Sequence, residues 1–246
     1  GTPFSTVTIL DGITDKLPVG RIVYDKGCDI TDNMLIESRI GEGSMDGKKG
    51  MKATYWNNRE YKGEPAATEQ LVNPLRLSVF GQHEFSPGVN LENFSAKYET
   101  VYTPSESGEI AFKLEACGGF ELIVNGDTIS RVYMWRPLPR RVTCHVEKGK
   151  AYKIEACFRQ LHNWTASISF DFGKEIPVDY TSLLNKLKGI DIVIFAGGIS
   201  SQLEGEEMPV ELPGFRGGDR TDMELPLVQR NCLQALKQAG KKIVLV

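Results

Sequence analysis

Between residues 51 and 173 apolar and polar positions alternate with a period of two. In EIAFKLEA the residues Ile110, Phe112 and Leu114 fall on one side and Ala111, Lys113 and Glu115 on the other. RVTCHV sets Val142, Cys144 and Val146 together, and AYKIEACF and ASISFDF repeat the arrangement. Side chains point alternately to opposite faces of a strand, so this pattern predicts half-buried antiparallel strands. Turn-forming clusters separate the runs: PSESG at 104–108, Asn125-Gly126, and KGK at 148–150. Asn-Gly between apolar runs predicts a hairpin, because a type I′ turn needs φ > 0 at both central residues. The expectation for residues 49–173 is an all-β sandwich or barrel.

Outside that region the period changes. TSLLNKLKG predicts a helix capped by Thr181 or Ser182 and stopped by Gly189, and IDIVIFAGG predicts a continuous buried strand running into glycines. ELPLVQRNCLQALKQAG places Pro226 near a helix start, Leu225, Val228, Cys232 and Leu236 at helical spacing, and Gly240 as the stop. KKIVLV predicts a second buried strand. Helix, strand, loop, helix, strand is the order of a parallel α/β sheet, whose ligands gather at the carboxyl ends of its strands. At the other end TVTILDGI reads as strand-like, RIVY (residues 21–24) as a short strand, and the segment through Ile40 as helix or loop. Residues 41–50 hold four glycines in ten, which predicts a linker and a boundary near residues 44–49.

The expected fold class is α/β plus all-β: an incomplete doubly wound parallel α/β sandwich domain interrupted by an antiparallel β-sandwich module. Its parts are residues 1–45 and 175–246, with the insert at 46–174. Both ends read as cut, so the chain is expected to be a piece of a longer protein.

Charge and cysteine content narrow the function. A net charge of −3 without a long single-sign run argues against a nucleic-acid surface. No apolar run approaches the roughly 18–20 residues of a membrane span, and residues 1–20 lack the order of a signal peptide. The five cysteines, Cys28, Cys117, Cys144, Cys157 and Cys232, form no C-x-x-C pair, which removes zinc and thioredoxin-type readings and leaves each as a small buried hydrophobe. His83 and His145 read as surface residues, and three dispersed histidines suggest no metal.

The candidate chemistry lies in GGISSQLEGEEMPVELPGFRGGDR, residues 197–220, which crowds Glu204, Glu206 and Glu207 just past the strand at 190–196. In position and composition alone a solvated loop explains three glutamates as well as a site does. The order FAGGIS, LEGEE, GGDR, LPLVQ, however, resembles the second, sandwich-type domain of family 3 glycoside hydrolases, the β-glucosidases and β-xylosidases. TVTILDGI followed by IVYDKGCDI is similar to the segment leading into that domain. The β-rich middle, with GMKATYWNNREYKGEP, FSAKYETVYTPSESGEIAFKLEACGGFELIVNGDTI and VEKGKAYKIEACF, resembles the protective-antigen-type module carried inside many of these enzymes. Two departures stand out. Residues 208–218 lengthen the loop between Glu207 and Asp219, as in the bacterial β-xylosidase branch, which tilts the expected substrate towards xylo-oligosaccharides. Cys117-Gly118-Gly119 stands where many such modules carry paired aspartates able to hold Ca²⁺, and a cysteine and a glycine offer no hard oxygen ligands.

The resemblance implies a fragment of a retaining, exo-acting β-glycosidase that hydrolyses terminal β-linked sugars from oligosaccharides. Such chemistry needs two carboxyl groups about 5 Å apart, a nucleophile and an acid/base. The acid/base falls on Glu206, with Glu204 in reserve. Asp219 and Arg220 are expected as an orienting pair that pins the loop to the helix start. Trp135 in VYMWRPLPRR, and His162 and Trp164 in RQLHNWT, are the candidates for sugar contact, against core or interface packing for each tryptophan; Trp56 ranks behind them. The nucleophile belongs, in the family, to a preceding (β/α)₈ barrel that this chain lacks, so the isolated chain is expected to hydrolyse nothing. No cofactor, metal, nucleic-acid or membrane partner is implied, and the parent is expected to be periplasmic or secreted. The alternative is a free-standing carbohydrate-binding or adhesion module without catalysis; the flanking LEGEE-GGDR-LPLVQ order, which an adhesin would not use, favours the enzyme.

Overall fold

A computed structural model describes residues 7–17, 20–134, 139–200, 203–204, 212 and 214–246. Its contacts divide the chain into two units, one of residues 35–176 and a discontinuous one made of residues 1–34 and 177–246.

The 35–176 unit is mostly antiparallel β-sheet curled into a sandwich, as the period-two pattern predicts. Its organising element is the strand Gly108–Val124, which belongs to both layers. The first half pairs with Arg140–Val146 on one side and Thr165–Pro177 on the other; the second half pairs with Asp127–Met134 and with Tyr152–Arg159. Tyr152–Arg159 continues through Ser95–Tyr102 and Met51–Trp56 to Ala67–Leu71. Leu75–Phe80 closes on Thr165–Pro177.

The strand changes layer at Cys117-Gly118-Gly119, and the local geometry requires glycine there. Gly118 has φ +145°, and a Cβ on it would lie 2.6 Å from the Phe158 ring and 2.9 Å from the Arg159 carbonyl oxygen. An aspartate at that position would meet the same ring.

Between the layers the alternating rows meet as an aromatic core. Phe94, Phe112, Phe120, Phe158, Phe170 and Phe172 are all fully buried. The Phe170 ring lies 6.4 Å from that of Phe112, 6.0 Å from Phe120 and 6.3 Å from Phe172. Burying each such side chain contributes on the order of 1.5–3 kcal/mol, which is why alternation alone specifies this half of the chain. The Asn125-Gly126 hairpin forms with φ +52° and +91°, the pair of values a type I′ turn requires.

Four local expectations change. Residues 41–50 are not a linker: Ser44–Met45 and Lys48–Lys49 form a hairpin joined to the sheet, with Asp46 and Gly47 supplying the two positive φ angles of its turn. Met34–Ser38, expected as helix or loop, is a strand beside Thr165–Pro177; its exposure alternates along MLIES, but its partner is remote in sequence. TVTILDGI contains a helix rather than a strand, α1 (Ile9–Thr14), because Thr8 and Asp11 form a reciprocal capping box. RIVY is not in a strand, and Tyr24 is largely exposed.

In the discontinuous unit, α2 (Thr181–Lys186) and α3 (Leu227–Gln238) accompany a parallel pair, Ile192–Phe195 with Lys242–Leu245. Neither Thr181 nor Ser182 caps α2. Asp179 does the nearby work instead, accepting from the Thr181 N–H at 2.9 Å and from its hydroxyl at 2.6 Å. Leu187, Cys232 and Leu236 form the buried centre, with Leu183, Ile190, Val193, Phe195 and Ile243 packed around it. Lys241 reaches into this unit, and its ammonium donates to the Leu187 and Ile190 carbonyls at 2.6 and 2.8 Å. Residues 25–33 are tied to partners far along the chain: Asp25 to Lys186 at 2.6 Å, and Asn33 to Asn231 at 3.0 Å.

Candidate functional site

The parallel pair ends where the glutamate-rich loop begins. The Gly197 N–H donates to the Val246 carbonyl at 3.0 Å and the Val246 N–H to that of Phe195 at 2.9 Å, which carries the ladder to the carboxyl edge of the sheet. Here the chain turns through Gly197 and Gly198. The turn is held by Gln229 in the first turn of α3, a nearly fully buried amide. Its Oε1 accepts from the Gly198 N–H at 2.9 Å, and its Nε2 donates to the Gly198 carbonyl at 2.5 Å and to the Ile30 carbonyl at 2.8 Å. One side chain thus satisfies both backbone groups of Gly198 and fastens the amino-terminal segment to the same point. A side chain at residue 197 would press against this clamp: its Cβ would lie 3.0 Å from the Phe195 ring and 3.2 Å from Gln229 Oε1.

Beyond the turn, the Leu203 and Glu204 N–H groups donate to the Ser200 carbonyl at 2.9 and 3.3 Å. Leu203 is buried, and Glu204 is exposed at the loop surface. Glu206, the expected acid/base, and Trp135 lie outside the described residues.

The loop returns through a small hairpin, Phe215–Arg216 against Asp219–Arg220, with the successive glycines 217 and 218 at φ +65° and +93°. The expected Asp219–Arg220 pair is corrected here. Asp219 pairs through its backbone with Arg216 and points an exposed side chain outward, whereas Arg220 takes Asp222 as its carboxylate, at 3.1 Å. The Arg220 guanidinium also donates to the Asp222 carbonyl at 3.1 Å and to the Glu224 carbonyl, and it covers the Phe215 ring at 4.9 Å. Adjacent residues project to opposite sides of a strand, so neighbours in sequence are poorly placed to pair. Arg220 nonetheless pins the loop to the start of α3, since residues 222–224 lead directly into Pro226. Glu224 in turn accepts from Arg230 on the helix.

On the sandwich, His162 and Trp164 occupy the bend that follows Tyr152–Arg159. Gln160, fully buried, organises it. Its amide nitrogen donates to the Leu91 and Thr165 carbonyls at 2.7 and 3.0 Å, and its oxygen accepts from the Leu161 and His162 N–H groups at 3.0 and 3.2 Å. Sequence reasoning passed over Gln160 because its partners are backbone groups that no motif marks. His162 Nε2 is buried with no hydrogen-bond partner among the described residues. Trp164 is 57% exposed and meets the still more open Phe80 edge to face at 5.2 Å, so two aromatic rings stand in solvent side by side. Trp56 is instead tied down, donating through Nε1 to the Gly63 carbonyl at 3.1 Å and meeting the Tyr61 ring. Among the described residues no group of three or more His, Cys, Asp or Glu could hold a metal ion.

Comparison with known proteins adds the context of the whole chain. A family model described as PA14 domain matches residues 47–191. A xylan 1,4-beta-xylosidase from Xylanibacter ruminicola is 46% identical over 248 aligned positions, covering 100% of this chain and 29% of that relative. A probable beta-glucosidase I from Aspergillus niger is 22% identical, covering 91% of this chain and 29% of the relative. Among solved structures, the beta-glucosidase from Kluyveromyces marxianus in complex with glucose covers 98% of this chain and 30% of its own, at 17% identity and a TM-score of 0.47. The chain therefore spans under a third of the length of these two curated relatives.

Proposed function

The chain belongs to the PA14 domain family, and from that premise we propose that it is part of a retaining, exo-acting β-glycosidase, a β-xylosidase or β-glucosidase acting on oligosaccharides. The observation that carries this reading is the reach of the 46% identity, which extends beyond the sandwich through both flanking segments of the chain. A sugar-binding module borrowed by an unrelated protein would share the sandwich alone.

In this reading the two outer segments, expected from the sequence as residues 1–45 and 175–246, are parts of a doubly wound α/β sandwich domain, and the unit of residues 35–176 is inserted between them. A (β/α)₈ barrel of the same protein supplies the nucleophilic carboxylate. Glu206 is the acid/base: it protonates the leaving oxygen as the glycosyl intermediate forms, then takes a proton from the attacking water. Glu204 is the reserve for that role. Asp219 and Arg220 orient the loop, and the guanidinium contacts to residues 222–224 support this for Arg220. Trp135, Trp164 and His162 meet the sugar on the aglycone side, where flat aromatic faces stack on apolar sugar faces. The open Phe80–Trp164 pair supports that role for Trp164. The protein works in the periplasm or outside the cell and needs no cofactor.

The test is Glu206→Ala in the whole enzyme. An acid protonates poor leaving groups and is dispensable for activated ones, so kcat should fall about 10²- to 10⁴-fold for xylobiose or cellobiose and far less for a dinitrophenyl glycoside. Equal rates for variant and wild type on the disaccharides would remove Glu206 from the mechanism. Sugar binding by the sandwich, in a whole protein that hydrolyses no β-glycoside, would establish the adhesion-type alternative instead.

A further inference from the structure

Two of the five cysteines converge although most of the chain separates them. Cys28 follows a tight turn in which the Gly27 N–H donates to Asp25 Oδ1 at 2.8 Å. Cys232 lies on the buried face of α3. Cys28 packs on the cluster of Leu187, Cys232 and Leu236, and both cysteines line one cleft of about 540 Å³ within the discontinuous unit. The Cys28 side chain thus lies against the buried cluster to which the α3 face carrying Cys232 contributes. Cys28 is half-buried and open to the cleft, whereas Cys232 is fully buried behind it.

This contact divides the two sulfurs by role. The S–H of Cys232 holds the Cys28 thiol below the usual thiol range, against burial and the Asp29 charge and with help from Lys26. The same interaction, together with burial, pushes the Cys232 thiol up. An accessible sulfur that ionises first, beside a buried one that keeps its proton, is the arrangement of an attacking and a resolving thiol. The remaining cysteines differ: burial pushes Cys117 and Cys144 up, and Cys157 up to about 11.

We propose that Cys28 and Cys232 form a thiol–disulfide exchange site that accepts a small-molecule disulfide, RSSR, and closes into an intramolecular disulfide joining the amino-terminal segment to α3. The Cys28 thiolate attacks one sulfur of RSSR; the S–S bond breaks and RS⁻ leaves, taking up a proton. Cys232 then attacks the Cys28 sulfur of the mixed disulfide; its proton passes to the departing RS⁻, and a second RSH leaves. Both cysteines are oxidised, and one RSSR is reduced to two RSH.

The test treats the intact chain with oxidised glutathione, quenches with acid, alkylates under denaturing conditions without reductant, and maps the peptides. The expected products are a linked Cys28–Cys232 peptide, alkylated Cys117, Cys144 and Cys157, and release of two glutathiones per chain. Before oxidation, Cys28 should alkylate roughly tenfold faster than any of those three. Cys232→Ala should stop at a stable mixed disulfide on Cys28, and Cys28→Ser, at the more open position, should leave Cys232 unmodified. A persistent mixed disulfide on Cys28 in the wild type overturns the proposal, as do five alkylated cysteines after oxidation or a disulfide to another cysteine.

Discussion

The two units solve the same burial problem in different ways. In residues 35–176 the alternating rows of the two layers face each other, and Phe94, Phe112, Phe120, Phe158, Phe170 and Phe172 reach full burial. In the discontinuous unit the parallel strands pack α3 on one side, while Ile192, Ile194, Val244 and Leu245 stay about half exposed. Parallel strands normally read as continuous apolar runs because both faces are covered. Here the runs are present, yet only Val193, Phe195 and Ile243 pack on the cluster around Cys232. The first unit thus holds a shared aromatic core, whereas in the second the Gln229 clamp and the Lys241 contacts add discrete polar ties to the small cluster around Cys232.

The largest effect expected from this contrast is at Phe170. Phe170→Ala removes a ring packed against three others and should cost about 3–5 kcal/mol, read as a lower urea midpoint for the loss of the β-sheet signal. A cost under about 1 kcal/mol would mean that the sandwich core is not closed as described.

Next comes Gln229. Gln229→Ala leaves the Gly198 N–H and carbonyl and the Ile30 carbonyl without their partner, at a cost of about 2–3 kcal/mol confined to the discontinuous unit. Faster amide exchange at Gly198, with unchanged protection across Gly108–Val124, is the expected signature. Equal loss of protection in both units would erase the distinction between them.

The smallest effect concerns a polar exception in the closed unit. Asp171 has one carboxylate oxygen buried without a hydrogen-bond partner among the described residues. Burial pushes its pKa up, against the Ser38 and Phe172 hydrogen bonds and the charges of Arg76 and Lys113. The native state then holds this proton more tightly than the unfolded chain. The ionised form therefore costs stability at neutral pH, and the cost is relieved as pH falls through the raised native value. Because the group is only partly buried, Asp171→Asn should gain at most about 0.5–1 kcal/mol at neutral pH, and the gain should vanish in acid. Thermal melts of both proteins across that range read it directly; a gain that grows with acidity would reverse the sign.

These contrasts also mark where the sequence is readable. Alternation around Phe112, Phe158 and Phe170 reports burial directly, and Asn125-Gly126 reports its own turn, because both signals are local. The helix Leu227–Gln238 is equally plain from the spacing of Val228, Cys232 and Leu236. What was misread depends on remote partners or on competition between local signals. Met34–Ser38 becomes a strand only because Thr165–Pro177 lies beside it, and residues 41–50 become a hairpin only because Ser44 pairs with Val101. At α1 the apolar run outweighed the Thr8–Asp11 capping signal that was present. The site followed the same rule: LPLVQ drew notice to Gln229, but its purpose depends on Gly198 and Ile30, which only the fold brings to it. Arg220 makes its contacts to Asp222 and Glu224, two and four residues on, and sequence adjacency to Asp219 does not announce them.

The Val178 N–H donates to the Asn33 carbonyl at 3.4 Å, so the two places where the host chain leaves for the sandwich and returns from it are immediate neighbours. A module whose entrance and exit coincide can be gained, lost or exchanged by recombination with little disturbance to its surroundings. The same doorway marks the expected splice point: a short bridge from residue 34 to residue 177 should leave the Asn33–Asn231 hydrogen bond in place when residues 35–176 are removed.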